Sequence, residues 1–272
     1  MNMRNVLIGI WRWFQAPFNH KTLFWGFVHQ EIRSRYAGSM GGMIWSVITP
    51  LVNMLIYVFV FSAIFQVKVK PLETGTDNFV LFLLAGLLPW LAFAEAVSMA
   101  TNIFIGKANL ITKVAFPLEV LPVAGIVVIF ALNGIGFLIF LAYLLVVGYF
   151  SVAWLALPVV IFINMVYSLG LMVLIASLCV FLRDIQQIIG MILSFWLYLT
   201  PILYPVAMIP EKFRWMLYLN PMFYYIELYH DILLRRYLDW RLLGLGFFAA
   251  VLFLGIGSYF YSRSRNAFAD VL

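Results

Sequence analysis

A run of 63 residues without a charged side chain, Val120 to Leu182, constrains this chain more than any other feature. One crossing of a ~30 Å hydrocarbon core takes about 20 residues at 1.5 Å per residue, so the run is about three times as long as one crossing. Two membrane-spanning helices account for it, with a turn near Gly148–Ser151, the only small and polar break at a suitable spacing. The fold class that follows is an all-α integral membrane protein.

The composition excludes the soluble classes of protein. Residues of the AVILMFWYC set make up 65% of the chain, charged residues make up 10%, and the mean hydropathy is +1.03. A soluble domain uses about 25% charged residues, so this chain cannot cover its surface with polar groups. Its single cysteine, Cys179, excludes an internal disulfide. The net charge is +6, but the chain has no basic cluster longer than the pair Arg235-Arg236. Basic loops on the inner side of a membrane therefore explain the positive charge better than a nucleic-acid partner does.

Charged and polar breaks divide the chain into six predicted spans: 43–65, 79–98, 120–147, 154–182, 185–203 and 242–261. Prolines end the fifth span, and the two apolar pieces within residues 205–240 are each too short to cross. An even count places both termini on one side, and the loop basic residues divide ten to seven in favour of the cytoplasm. Arg12 and Trp13 interrupt the early apolar stretch, and no lipidation motif is present. We therefore expect a multi-pass protein of a bacterial inner membrane, with neither signal peptide nor lipid anchor.

Residues 18–36 form a predicted amphipathic helix on the membrane surface. Apolar side chains repeat at helical spacing from Leu23 to Ile32, and basic residues including Arg33 and Arg35 occupy the other side. Two interpretations stay open. The helix is an anchor before the first span, or it is a basic surface that receives an anionic lipid headgroup.

The segment 104–117 links the second and third spans on the predicted cytoplasmic side. Its short apolar piece Ala108–Ile111 lies between Lys107 and Lys113, which indicates either a membrane-surface helix or a contact for a partner protein. Glu95 lies near the inner end of the second span. An intramembrane carboxylate is a functional candidate, for instance in a proton relay. At that depth, however, its side chain also reaches the aqueous interface at little cost in free energy.

Aromatic residues make up 18% of the chain, and many of them flank the spans, as an interfacial belt does. A second set lies inside the spans or at their ends, and from it we select Tyr57, Phe61, Phe65, Trp196, Tyr198 and Tyr204. Ordinary packing is one interpretation of this set. The other is a channel for sugars, because aromatic rings stack against the apolar C–H face of a sugar.

No catalytic constellation is visible in the sequence. The three histidines lack metal-ligand spacing, Gly106-Lys107 lacks the earlier glycine of a phosphate-binding loop, and no Gly-x-Ser-x-Gly motif occurs. We therefore expect a chain that is not an enzyme and binds no metal or cofactor. If ATP drives it, another chain must hydrolyse the ATP.

Several motifs, taken in order along nearly the whole chain, resemble the membrane subunit of ABC-2-type polysaccharide exporters, especially O-antigen exporters. They are Glu31-Ile32-Arg33-Ser34-Arg35-Tyr36 with Gly42-x-x-Trp45 and Pro50; Ala108-Asn109-Leu110-Ile111-x-Lys113-x-x-Phe116-Pro117; Arg183-Asp184; Thr200-Pro201-Ile202-Leu203-Tyr204; Met208-Ile209-Pro210-Glu211-Lys212-Phe213; Asn220-Pro221; and Phe268-Ala269-Asp270-x-Leu272. The second motif is spaced one residue more tightly here than in the family. Glu95 matches no motif of the family.

The resemblance implies a homodimer of six-span subunits with two copies of a cytoplasmic ATPase, which binds the ATP and Mg²⁺. The implied substrate is a glycan on undecaprenyl pyrophosphate, with Arg33, Arg35 and Tyr36 near its headgroup. Residues 205–240 would be external helices that dip back into the membrane. The segment 104–117 and the loop between the fourth and fifth spans would contact the ATPase. The residues concerned are Lys107, Asn109, Leu110, Ile111, Lys113, Arg183 and Asp184.

Three functions remain in competition at this stage. The first is export of O antigen or a similar glycan, including capsule or teichoic acid. The second is export of a drug or small lipid by the same superfamily, which predicts larger external domains or a fused ATPase. The third is a membrane enzyme such as a glycan acyltransferase, which needs an intramembrane histidine or paired acids.

Overall fold

The computed structural model describes residues 3–113 and 116–272. Within these residues the chain is helical or in turns without any β-strand, and a single antiparallel bridge joins Lys68 to Asn78. The predicted all-α class is confirmed. Among the described residues, five helical segments are long and apolar enough to cross a membrane: Gly42–Ile64, Phe79–Ala100, Val120–Val146, Val152–Phe181 and Trp240–Val271.

Two helices precede the first of these segments. Helix α1 (Met3–Asn19) was not expected from the sequence, and α2 (Lys21–Tyr36) begins after a turn at His20, so the predicted helix over 18–36 is shorter at its start. Phe24 and Val28 of α2 are buried, as the apolar spacing predicted, and α2 packs against the helix Val120–Val146. Trp13 anchors α1, because its buried indole donates a 2.8 Å hydrogen bond to the hydroxyl of Ser258.

The first half of the bundle contains these helices: α3 (Trp45–Val58), α4 (Pro71–Thr74), α5 (Phe79–Ala100), α6 (Ala108–Lys113), α7 (Val120–Val146) and α8 (Leu157–Phe181). A 3-10 turn, Gly42–Ile44, precedes α3, and a π-helical segment, Phe59–Ile64, extends it. The side chain of Asn78 caps α5 by accepting from the backbone N–H of Val80. Helix α5 lies at the centre, in contact with α3, α7, α8 and the later helices α9 (Ile185–Leu199) and α11 (Pro221–His230).

The second half contains α9, α10 (Trp215–Tyr218), α11, α12 (Trp240–Ser264) and α13 (Phe268–Val271). Helix α9 ends four residues before the predicted limit of the fifth span, and its 15 residues are fewer than the ~20 that one crossing takes. The chain then turns through Thr200–Tyr204 and several short helical pieces. Asn220 caps α11, which a π-helical segment, Asp231–Arg235, extends.

The closest helix pair is α8 with α12. A Cβ atom placed on Gly170 would lie 2.4 Å from the backbone nitrogen of Leu254, and one on Gly257 would lie 2.4 Å from the carbonyl oxygen of Gly170. Small residues at these two positions allow the backbones to touch, as they do in helix pairs within lipid.

Candidate functional site

The helix ends gather at two opposite ends of the bundle. At one end, an aromatic cluster joins residues from three parts of the chain: Phe104, Phe181, Tyr261 and Phe268, with ring centroids 5.4 Å apart for Phe104 and Phe268 and 5.9 Å apart for Phe181 and Phe268. This cluster places the 104–113 segment beside the Arg183-Asp184 turn and the C-terminal residues. We call it the coupling end.

The residues predicted to contact an ATPase all lie at the coupling end, but their exposure differs. Asn109, Lys113 and the Arg183-Asp184 pair are exposed, and Leu110 is half-buried. Ile111 is buried in this chain, where α6 packs against α13. Lys107 lies over the ring of Phe27, 5.9 Å from its centroid, and so links this segment to α2. Residues 114–115 of the predicted segment lie outside the described residues.

Three loops meet at the opposite end, which we call the loop end. The hydroxyl of Tyr149 donates to that of Thr76 at 2.8 Å, and the guanidinium of Arg236 donates to the carbonyl of Gly148 at 2.9 Å. The Nε of Arg235 donates to the carbonyl of Glu73 at 3.1 Å. The three loops that the sequence placed on the external side therefore lie together, away from the coupling end.

Two of the predicted headgroup residues lie in different environments. Arg33 is exposed on α2. The guanidinium of Arg35 pairs with the carboxylate of Glu95 on α5, and its Nε lies 3.6 Å from Glu31. The amide of Asn133 on α7 donates to the other Glu95 oxygen at 2.6 Å. Glu95 thus joins α2, α5 and α7, a role that its isolated position in the sequence did not indicate.

The predicted channel aromatics form two groups, each in contact with α5. Tyr57 belongs to α3, Phe61 belongs to its π-helical extension, and Phe65 follows that extension directly. The ring of Phe61 lies 5.2 Å from that of Phe79 on α5. Phe65 is mostly exposed, with 64% of its surface accessible.

Trp196, Tyr198 and Tyr204 form the second group, on α9 and the turn after it. The indole of Trp196 donates to the Asn220 amide oxygen at 2.7 Å, and its ring lies 5.2 Å from that of Phe93. Tyr198 is exposed, and its carbonyl accepts a 2.6 Å hydrogen bond from the hydroxyl of Tyr204.

A cavity of about 710 Å³ opens beside this second group. Its walls come from one face of α9 and from the short helical pieces before α11, and Trp196 and Tyr204 are among them. The lining is almost entirely apolar and aromatic, with Asn220 as a polar group at its edge. Its size and lining suit an apolar or ring-shaped ligand.

A buried charge cluster near the loop end was missed in the sequence. The guanidinium Nη1 of Arg235 lies 2.8 Å from Glu227 and 2.6 Å from Asp231, and both carboxylates are buried. His230 stacks on Phe82, donates through Nε2 to the Phe82 carbonyl at 3.1 Å, and places Nδ1 3.3 Å from Glu227. Spacings of four residues place Glu227, Asp231 and Arg235 on one helix face, which was the available signal.

Burial, together with the charge of Asp231, raises the pKa of Tyr237 just beyond this cluster, so its phenol stays protonated at neutral pH. Across residues 3–113 and 116–272, no group of three histidine, cysteine, aspartate or glutamate residues is arranged to hold a metal ion.

Comparison with known proteins identifies the family. Residues 22–234 match the profile of the family described as "ABC-2 type transporter". The chain is 31% identical over 262 residues to the O-antigen export system permease protein RfbA of Myxococcus xanthus, covering 93% of this chain and 96% of the relative. It is 28% identical over 250 residues to the protein of the same name from Klebsiella pneumoniae, covering 90% and 92% of the two chains. The chain therefore belongs to the ABC-2 type transporter family, as the membrane-embedded, multi-pass permease subunit of a transporter.

Proposed function

We propose that this chain is the membrane subunit of an ATP-driven exporter that moves a polysaccharide linked to undecaprenyl pyrophosphate across the bacterial inner membrane. Two copies would form the membrane part, and two copies of a separate cytoplasmic ATPase would bind the ATP and Mg²⁺. Both termini would lie in the cytoplasm, and O antigen or a similar glycan would be the cargo.

The observation that carries this proposal is the likeness to relatives named O-antigen export permeases, which runs over at least 90% of both chains. A likeness confined to a few helices would support the family alone. Here the matched length includes the coupling end, the loop end and the helices between them.

Six crossings fit the contacts of the bundle. Helix α9 starts at the coupling end and brings Trp196 beside Trp90 and Phe93, partway along α5. Helix α11 continues from Asn220, and its π-helical extension reaches Glu73 at the loop end through Arg235. We therefore propose that α9 makes the inner part of the fifth crossing, and that residues 205–240, which include α11, dip into the membrane from outside and complete it.

The path of the glycan would follow the aromatic residues. Helices α3 and α9 both contact α5 and both carry exposed apolar side chains, such as Leu55 and Phe195, each 65% accessible. A second copy covering these faces would bring Tyr57, Phe61 and Phe65 of the two chains into one channel with the group around Trp196. Stacking on aromatic rings gives many weak contacts, which suits a chain that must slide.

The coupling end would receive the ATPase. Its exposed polar groups, Asn109, Lys113, Arg183 and Asp184, surround the half-buried Leu110. Movement of α6 would pass to α13 and α8, which it contacts directly or through the Phe268 ring. The exposed Arg33 on α2, with Arg35 and Tyr36, would lie where the pyrophosphate enters.

The alternatives are a capsule or teichoic-acid exporter of the same family, or an ABC-2 exporter of a small lipid or drug. Deletion of the gene for this chain separates export of a glycan from export of a small lipid or drug. Under our proposal, lipid-linked polysaccharide accumulates on the cytoplasmic face, the surface glycan disappears from gels, and a plasmid copy restores it. An unchanged surface glycan, with increased sensitivity to drugs instead, would refute the proposal.

A further inference from the structure

A second cavity, of about 240 Å³, lies between α3, α5 and α7. Four polar side chains of α3 line one wall: Ser46, Thr49, Asn53 and Tyr57. Their spacings of three, four and four residues place them on one face of the helix. We call this cavity the polar groove.

The opposite wall of the polar groove is aliphatic. Leu84, Leu88 and Leu91 of α5 line it, again at helical spacing. The ion pair of Arg35 with Glu95 lines the groove at the end nearest α2, and the amide of Asn133 on α7 donates to Glu95. One wall therefore offers hydrogen bonds, the other offers an apolar surface, and the charges at the end compensate each other.

The polar wall is unusual for its position. It belongs to the span Gly42–Ile64, whose mean hydropathy is 2.2, and Asn53 lies at the middle of that span. Polar side chains at the bilayer centre are costly unless they face partners or water. Among the residues that the structure describes, none accepts or donates a side-chain hydrogen bond with Thr49, Asn53 or Tyr57. The hydroxyls of Thr49 and Tyr57 and the amide of Asn53 thus line the cavity with their hydrogen-bonding capacity unused, and Thr49 and Asn53 are exposed in the single chain.

We propose that the polar groove binds one sugar ring of the exported glycan. A pyranose has hydroxyl groups at its edge and an apolar C–H face, which match the polar wall of α3 and the leucine wall of α5. Hydroxyl and amide side chains both donate and accept, as sugar hydroxyls require. A cavity of about 150 Å³ holds benzene, so 240 Å³ has room for a six-membered ring with substituents.

The charge balance favours an uncharged ring over a lipid phosphate at this place. Arg35 is the basic residue in the lining, and it is paired with Glu95. The exposed Arg33 lies on the same helix, two residues away, where a phosphate would remain in contact with water. The inference rests on the proposed export of a glycan and names the place where one of its rings is held.

Cysteine labelling tests this proposal in the complete transporter, in a Cys179→Ser background. The variant is Asn53→Cys, and the matched control is Leu55→Cys, two residues away on the opposite face of α3. Leu55 lies outside the cavity lining, and lipid or the proposed second copy would cover its exposed side chain. The probe is water-soluble polysaccharide, released by mild acid from the surface glycan of the producing bacterium. We expect a water-soluble maleimide to label Asn53→Cys and to leave Leu55→Cys unlabelled. With polysaccharide at ten times its dissociation constant, labelling should slow about tenfold, because about one site in eleven stays empty.

A second variant, Asn53→Leu, measures the hydrogen bonds themselves. Because one hydrogen bond changes an equilibrium about three- to tenfold, the polysaccharide concentration that half-stimulates the ATPase should rise by that factor. Equal labelling of the two cysteine variants would overturn the groove as a water-filled site. If phospholipid slows the labelling of Asn53→Cys and polysaccharide does not, the groove binds a lipid. That result would overturn the proposal even if the wild-type transporter exports the glycan. A wild-type transporter that neither exports nor responds to polysaccharide would refute the proposed function itself.

Discussion

The buried charge cluster near the loop end gives the sharpest prediction about stability. Arg235 makes short contacts with two buried carboxylates, Glu227 and Asp231, so the Arg235→Met variant leaves two negative charges together without their cation. Removing one partner of a buried ion pair costs about 3–5 kcal/mol. A change of 1 kcal/mol moves the unfolding midpoint of a large domain by about 2–4 °C, so we expect a fall on the order of 10 °C.

The assay is thermal unfolding of the purified chain in detergent, followed by tryptophan fluorescence. Arg214→Met is the matched control, because the Arg214–Glu211 pair is 4.0 Å long and exposed, and such pairs contribute at most about 1 kcal/mol. The triple variant Arg235→Met/Glu227→Gln/Asp231→Asn should recover most of the loss, since it leaves no charge unpaired. If Arg235→Met unfolds at the same temperature as Arg214→Met, water solvates the two carboxylates, and the claim that a buried ion pair stabilises α11 is wrong.

Three further predictions concern packing, coupling and headgroup binding. Gly257→Val should separate α8 from α12 and reduce the amount of folded protein in the membrane, whereas Gly244→Val, with open space around its Cβ position, should not; equal yields on a size-exclusion column would contradict this. Leu110→Asp should leave the dimer folded while ATP hydrolysis no longer drives export, and normal surface glycan in cells carrying it would remove Leu110 from the coupling site. Arg33→Gln should reduce substrate-stimulated ATPase activity more than basal activity, because each basic residue near the surface attracts anionic lipid with ~1 kcal/mol; an equal loss of both would indicate a structural role.

The sequence predicted those parts of the fold that depend on one helix alone. Long apolar runs between charges fixed five of the long helices within a few residues, and the uncharged run from Val120 to Leu182 divided near Gly148 as its polar break indicated. Each such helix satisfies its own backbone hydrogen bonds, so length and hydropathy are enough to find it.

Features that depend on contacts between distant segments were not predictable. Helix α1 is held by the hydrogen bond from Trp13 to Ser258, which is 245 residues away, and no residue near Trp13 in the sequence indicates that partner. Helix α9 ends at Leu199 instead of residue 203, because Thr200 is extended before Pro201, and the amide of Asn220 donates a hydrogen bond to the Thr200 hydroxyl there. Glu95 looked like an isolated carboxylate, and only the fold brings Arg35 and Asn133 to it. The polar groove likewise could not be predicted, because it forms only where the fold brings α3 and α5 side by side.

The central claim is that this chain moves a lipid-linked polysaccharide when a separate subunit hydrolyses ATP. The most direct measurement reconstitutes the chain with its ATPase in liposomes that carry the undecaprenyl-linked glycan, and follows the exposure of the glycan to an impermeant lectin. We predict that exposure changes when ATP and Mg²⁺ are added, and that it does not change with a non-hydrolysable analogue or when this chain is omitted. Exposure that ATP does not alter in the complete system, although the ATPase hydrolyses it, would contradict the account.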